Sequence, residues 1–227
     1  MNIKIYADGA DLATMAELAK DSRIAGFTTN PSLMKKAGIA DYCDFAKQVL
    51  AIVGDKPVSF EVFADDFAGM ERQAQEIASW GKNVYVKIPI TNTAGESTVE
   101  VIEHMVAIGV KVNVTAILTK QQTYLALRAL DDSDGIVSIF AGRIADAGLD
   151  PVKAIRYAAN QRCGKTKILW ASTREVYNVV QADGCGCDII TCSPQIIAKL
   201  PGLGQSLEQR SLETVQEFFA DGKEYSL

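Results

Sequence analysis

Eight short runs rich in β-branched and apolar residues, at 3–7, 24–28, 58–62, 84–88, 111–115, 136–140, 167–171 and 188–191, recur along the chain with amphipathic stretches between most of them. This alternation is the strongest constraint on the fold. Strands that run the same way need crossover connections, which are usually helices, so repeated βα units build a parallel sheet covered by helices. Residues 66–79 and 96–108 repeat apolar side chains at helical spacing. A last helical segment, near 207–219, follows the glycine-rich turn at 201–204 and reads as a C-terminal extension. No linker, low-complexity tract or long repeat divides residues 1–227, which read as a single domain. Eight βα units can close into a barrel or stay open as a doubly wound sheet. The glycine fingerprint of dinucleotide sites is missing after the first strand, where ADGADLATM stands. The expected architecture is therefore α/β, a single (β/α)8 TIM barrel with a C-terminal helical extension. A length of 227 residues suits one such barrel.

Charge and composition narrow the range of partners. The formal net charge is −5, so there is no general basic surface to draw the protein to nucleic acid or anionic lipid. An anionic ligand must be met by a few local cations. No apolar run approaches the roughly 20 residues of a membrane span, and MNIKIYADGAD lacks the segments of a signal peptide, which points to the cytoplasm. The cysteines, Cys43, Cys163, Cys185, Cys187 and Cys192, are odd in number and scattered, so reduced thiols are expected. The run CGCDIITC offers three thiolates and no obvious fourth ligand. No metal is expected there, and these cysteines read as buried small residues beside a strand.

In a barrel the functional positions are the C-terminal strand ends, and side chains alternate between interior and helix-facing sides. That alternation groups Lys4, Tyr6 and Asp8 on the first strand, and Ser59 with Glu61 on the third. It groups Tyr85 with Lys87 on the fourth and Asn113 with Thr115 on the fifth. In the last three strands the intervening residues are apolar and suit the helix layer, which leaves the polar sets facing inward. Asn30 follows the second strand, Ser138 and Phe140 lie on the sixth, and Ser172 closes the seventh. Lys87 is the centre of this ring. A charged, unpaired lysine inside VYVKIPI would be costly to bury. Desolvation or a nearby positive charge would lower its pKa and free the amine to attack a carbonyl. Duller roles exist for several of these residues: Asp8 as a cap for the helix near Asp11, Asn30 before Pro31 as a helix cap, Glu61 as a surface acid, Arg143 and Arg174 as solvated arginines. His104, in a helical stretch, is assigned no catalytic role.

The motifs FTTNPSL at 27–33, VKIPIT at 86–91, VNVTAIL at 112–118, SIFAGR at 138–143 and WASTRE at 170–175 occur in that order, after Asp8. Together they resemble the transaldolase family in its short form, which includes fructose-6-phosphate aldolases. The resemblance implies a class I aldolase mechanism with no metal and no organic cofactor. Lys87 would form a Schiff base with a ketose phosphate, and Glu61 and Thr115 would hold a proton-shuttling water. Asp8 would take the proton of the C4 hydroxyl. Asn30 and Asn113 would bind donor hydroxyls, and Ser138 would hold the three-carbon unit. Arg143, Arg174 and Ser172 would bind the phosphate. Sugar phosphates of the pentose phosphate pathway are the implied substrates, and a homo-oligomer the implied assembly.

Two departures from the family pattern bear on specificity. The opening motif is Asp8-Gly9-Ala10, where Asp-Thr/Ser-Ala is usual, and Ile139 stands where proline is common. Both leave room for an altered acceptor or substrate tail, including a sulfonate. Glu61 and Phe140 match transaldolases, whereas aldolase members typically carry glutamine and tyrosine there. The expected activity is thus transfer of a dihydroxyacetone unit between sugar phosphates, with fructose-6-phosphate aldolase as the alternative. Readings outside this chemistry are an isomerase using Glu61 as base and a silent sugar-binding barrel.

Overall fold

A computed structural model describes residues 1–223 and Tyr225. The chain separates into two compact units, Met1–Ile197 and Ala198–Leu227. In the first, strands β1 (Lys4–Asp8), β2 (Ile24–Thr28), β3 (Val58–Glu61), β4 (Val84–Pro89), β5 (Val112–Ile117), β6 (Ile136–Ile139), β7 (Lys167–Trp170) and β8 (Ile189–Cys192) close a barrel in sequential order. Every neighbouring pair is parallel, including β8 with β1. The strand ends lie within two residues of those expected from the sequence.

Helices α1 (Leu12–Lys20), α2 (Pro31–Lys36), α3 (Tyr42–Val53), α4 (Phe67–Ser79), α5 (Val99–Ala107), α6 (Lys120–Ala129), α7 (Ala141–Asp146), α8 (Pro151–Gln161), α9 (Tyr177–Asp183) and α10 (Pro194–Ile197) fill the connections. Local chemistry sets where many of them start. The side chains of Asp11, Asn30, Asp41, Asp66, Thr119 and Asp150 accept a backbone N–H in the first turn of the helices they precede. Each such cap is worth about 1 kcal/mol. Each therefore marks where a strand-to-helix loop ends.

Two apolar layers follow from strand parity. Val58, Phe60, Val84, Val86, Ile88, Val112 and Val114 are buried on the parity expected for the helix layer. On the other parity, Tyr6, Tyr85, Ile136, Leu169, Ala171 and Ile189 form one buried cluster. The barrel interior is thus less polar than the sequence suggested, since its base is closed by two tyrosines among aliphatic side chains. Gly26 makes room for one of them: a β-carbon there would lie 2.6 Å from the Tyr6 ring. Tyr85 Oη donates to Asp134 at 3.0 Å, and Lys167 pairs with the same carboxylate. Cys185, Cys187 and Cys192 are buried, as expected, and Cys187 Sγ points at the carbonyls of Ile168 and Ile189.

The second unit contains α11 (Leu207–Gly222), the expected C-terminal helix, capped by Ser206. No residue of α11 is buried, and Leu207, Leu212, Val215, Phe218 and Phe219 are exposed. Among the described residues no helix is long and apolar enough to cross a membrane.

Candidate active site

The register of three neighbouring strands builds the centre. Glu61, the last residue of β3, pairs with Lys87 across β3 and β4, and Lys87 pairs with Asn113 across β4 and β5, so the three stand side by side in register. Lys87 is only 6% exposed. Its Nζ lies 2.9 Å from Glu61 Oε2 and donates to the Thr29 carbonyl at 2.8 Å. A buried ammonium is tolerable because it is both ion-paired and hydrogen-bonded. The expected desolvation is present. The charged partner, however, is an acid in place of the cation that the sequence left open.

Asn113 is locked in orientation. Its Oδ1 accepts from Ser138 Oγ at 2.6 Å and its Nδ2 donates to Ser59 Oγ at 3.1 Å, a chain spanning β6, β5 and β3. Thr115 stands two residues beyond Asn113 on the same side of β5. There the pairing of β5 with β6 shifts register, and Ala116 takes a left-handed backbone, φ 60°. Non-glycine residues in that region carry strain of about 1–3 kcal/mol, which collects at functional sites. Among the described residues the buried Thr115 hydroxyl has no hydrogen-bond partner. A buried orphan of this kind suits a water or a substrate hydroxyl.

Asp8 sits across the mouth at the end of β1. It accepts from Thr28 Oγ1 at 2.8 Å, and Thr28 Oγ1 lies 2.5 Å from Thr191 Oγ1. Thr28 gives its only proton to the carboxylate, which leaves Thr191 as the donor to Thr28. Burial pushes the Asp8 carboxyl above the usual aspartate range, and this outweighs the opposing pull of Lys87 and of the Thr28 bond. Asp8 does not cap α1, because Asp11 does. Asn30 does cap α2: its Oδ1 accepts from Leu33 N at 3.0 Å. Among the described residues its amide nitrogen has no partner. A cleft of 340 Å³ opens beside Asp8 between α1, α2 and α10, and Gly9 lines it. A β-carbon on Gly9 would meet nothing within 4 Å.

Ser172 and Arg174, in the loop after β7, are brought to Arg143, in α7 after β6. Ser172 adopts φ 63°. A β-carbon on Gly142 would lie 3.2 Å from Arg174 Cγ, so the start of α7 touches the loop after β7. Arg143 is exposed, its guanidinium carbon 5.8 Å from the centre of the Phe140 ring. Arg174 grips Asp146 with Nε and Nη2, the first at 3.0 Å from Oδ1. That hydrogen-bonded guanidinium, helped by the charge of Arg143, holds the Asp146 carboxyl below its usual range. Both arginines therefore act on one acid. Phe140, expected at the end of a strand, is the residue before α7 and packs on the interior cluster.

The sequence reading missed Thr28, Thr191 and Asp146. The two threonines had a signal, since they share the inward parity of β2 and β8. Asp146 had none, because its role depends on a loop that brings Arg174 from 28 residues away.

Fold and site define a (β/α)8-barrel enzyme with a buried amine–carboxylate pair at the strand ends. The family model described as transaldolase/fructose-6-phosphate aldolase matches residues 5–227. Relatives named probable transaldolase include one from Hyphomonas neptunium, 34% identical over 224 residues, covering 97% of each chain. Another, from a Thermoanaerobacter species, is 36% identical over 201 residues, covering 87% of this chain and 89% of its own. The chain belongs to the transaldolase/fructose-6-phosphate aldolase family. Among solved structures, the type I 3-dehydroquinate dehydratase of Clostridium difficile superposes with a TM-score of 0.54 at 14% identity, covering 85% of this chain and 84% of that one. KGPDC of Streptococcus mutans does so with a TM-score of 0.56 at 10% identity, covering 84% and 88%. These two share the fold.

Proposed function

We propose that this protein is a transaldolase that moves a dihydroxyacetone unit from a ketose phosphate, fructose 6-phosphate or sedoheptulose 7-phosphate, to an aldose phosphate through a Schiff base at Lys87. The observation that carries the reading is the buried Lys87 amine held 2.9 Å from the Glu61 carboxylate. Glu61 takes a proton from the ammonium, and the free amine adds to the C2 carbonyl. The same acid, through a water held at the unpartnered Thr115 hydroxyl, returns the proton to the carbinolamine oxygen, which leaves as water. Asp8, its carboxyl raised by burial, removes the C4 hydroxyl proton. The C3–C4 pair then flows into the protonated imine, releasing the aldehyde and leaving an enamine on Lys87. An acceptor aldehyde reverses these steps.

Asn113, fixed between Ser59 and Ser138, supports placement of the donor hydroxyls together with the free amide nitrogen of Asn30. Arg143, Arg174 and Ser172 would receive the phosphate, since a guanidinium fork suits a phosphate edge. The test is borohydride reduction in the presence of fructose 6-phosphate, followed by peptide mapping. Label is expected on Lys87 and is lost, with activity, in a folded Lys87→Met variant. Label on another lysine, or none in the parent, overturns the reading.

A further inference from the structure

The edge of β3 that carries Glu61 is completed by a residue outside the catalytic set. β2 and β3 pair only through Phe27 with Val58 and Thr28 with Ser59, after which Thr29 N donates to the Ser59 carbonyl. Beyond that point the chain leaves the sheet at Asn30–Pro31 to start α2. Alternation along β3 turns the N–H and C=O of Glu61 toward this vacated edge, while Val62 N reaches β4 at the Lys87 carbonyl. Tyr42, the first residue of α3, stands where a strand residue would. Its hydroxyl accepts from Glu61 N at 2.8 Å and donates to the Glu61 carbonyl at 3.0 Å.

One hydroxyl thus satisfies both backbone groups of the residue whose side chain faces Lys87. The phenol is itself held. Its ring stacks on Phe63, with centroids 4.6 Å apart and planes 26° apart, and meets the edge of Trp80 at 5.2 Å. Burial pushes the phenol pKa upward, so it keeps the proton that it donates.

We infer that Tyr42 is a positioning residue for proton transfer at Lys87: its hydroxyl fixes the Glu61 backbone and so the place of the Glu61 carboxylate. The inference rests on the Lys87 imine proposed above. A displacement of about 1 Å in a reacting group can cost on the order of a hundredfold in rate. Losing two backbone hydrogen bonds to a group at the end of a four-residue strand allows a shift of that kind.

Tyr42→Phe keeps the stacked ring and removes only the hydroxyl. The measurement is the single-turnover rate of borohydride-trappable imine formation with fructose 6-phosphate, alongside KM, the thermal midpoint and the double variant with Glu61→Gln. The expected result is a fall of about tenfold in the imine rate, with KM and the thermal midpoint close to the parent. On the Glu61→Gln background the same change has no further effect, because the carboxylate it serves is already gone. Imine formation at the parent rate in Tyr42→Phe, or an equal further loss on the Glu61→Gln background, overturns the inference alone. A parent protein that traps no imine refutes the Lys87 chemistry and this inference with it.

Discussion

Gly142 and Ser172 meet so closely that a β-carbon on Gly142 would lie 1.6 Å from the Ser172 carbonyl oxygen. Gly142 N also donates to the Ala171 carbonyl at 3.3 Å. The start of α7 is therefore pressed against the loop after β7, and this contact brings Arg143 of α7 to the loop that carries Ser172 and Arg174. Gly142→Ala is expected to destabilise the protein by about 1–3 kcal/mol, the usual cost of overpacking. It should also raise KM for ketose phosphate. Urea unfolding with steady-state kinetics checks both, and an unchanged KM would show that α7 and the loop after β7 need not touch to hold the substrate.

Asp146 holds Arg174 by the Nε and Nη2 edge, which leaves Nη1 for a ligand. On this geometry the acid orients the guanidinium. Asp146→Asn should raise KM for fructose 6-phosphate severalfold with little change in kcat, while Arg174→Ala raises it about ten- to a hundredfold. A lower KM in Asp146→Asn would instead show that the acid competes with the phosphate.

Asp8 gives a pH dependence whose sign follows from burial. Its carboxyl is raised in the folded state, so the folded protein holds this proton more tightly than the unfolded chain. Ionising Asp8 therefore costs stability as pH rises from the ordinary aspartate range through the raised folded value. Asp8→Asn should be more stable than the parent above that window, with the difference shrinking below it, in unfolding curves taken across pH. In the active enzyme the acid limb of kcat/KM should lie above the ordinary aspartate range, because Asp8 must be ionised to act as base. An acid limb at the ordinary aspartate value would remove Asp8 from that role.

Phe140 places an apolar ring beside the interior cluster and under the Arg143 guanidinium. It offers no hydroxyl to position water for hydrolysis of the enamine-derived imine. Transfer from fructose 6-phosphate to erythrose 4-phosphate should exceed release of free dihydroxyacetone, and Phe140→Tyr should shift the balance toward release. Sedoheptulose 7-phosphate and dihydroxyacetone are measured with and without the acceptor. Rapid dihydroxyacetone release without acceptor-dependent product would favour a fructose-6-phosphate aldolase.

Much of this architecture was legible in the chain. Period-two alternation in SFEV, VYVKIPI and VNVT separated the residues that face the helices from those that face inward, and this placed Glu61, Lys87, Asn113 and Thr115 on the barrel side. Helix starts were legible at Asn30–Pro31 and Asp66, where a side-chain acceptor precedes the first turn. The tyrosines at the base were on the correct face, but their role as an apolar floor was not visible, because it depends on aliphatic residues from β6, β7 and β8.

The sequence by itself determined the eight βα units, their order and the parity of each strand, because these depend on neighbours a few residues apart. Only the tertiary structure decided the partners: Glu61 for Lys87, Thr28 and Thr191 for Asp8, Asp146 for Arg174, and the Tyr42 hydroxyl for the vacated edge of β3. Those pairings depend on strand register around a closed barrel and on where each loop returns. Periodicity within one segment carries no information on either, since it shows which face a side chain takes and not which side chain stands opposite.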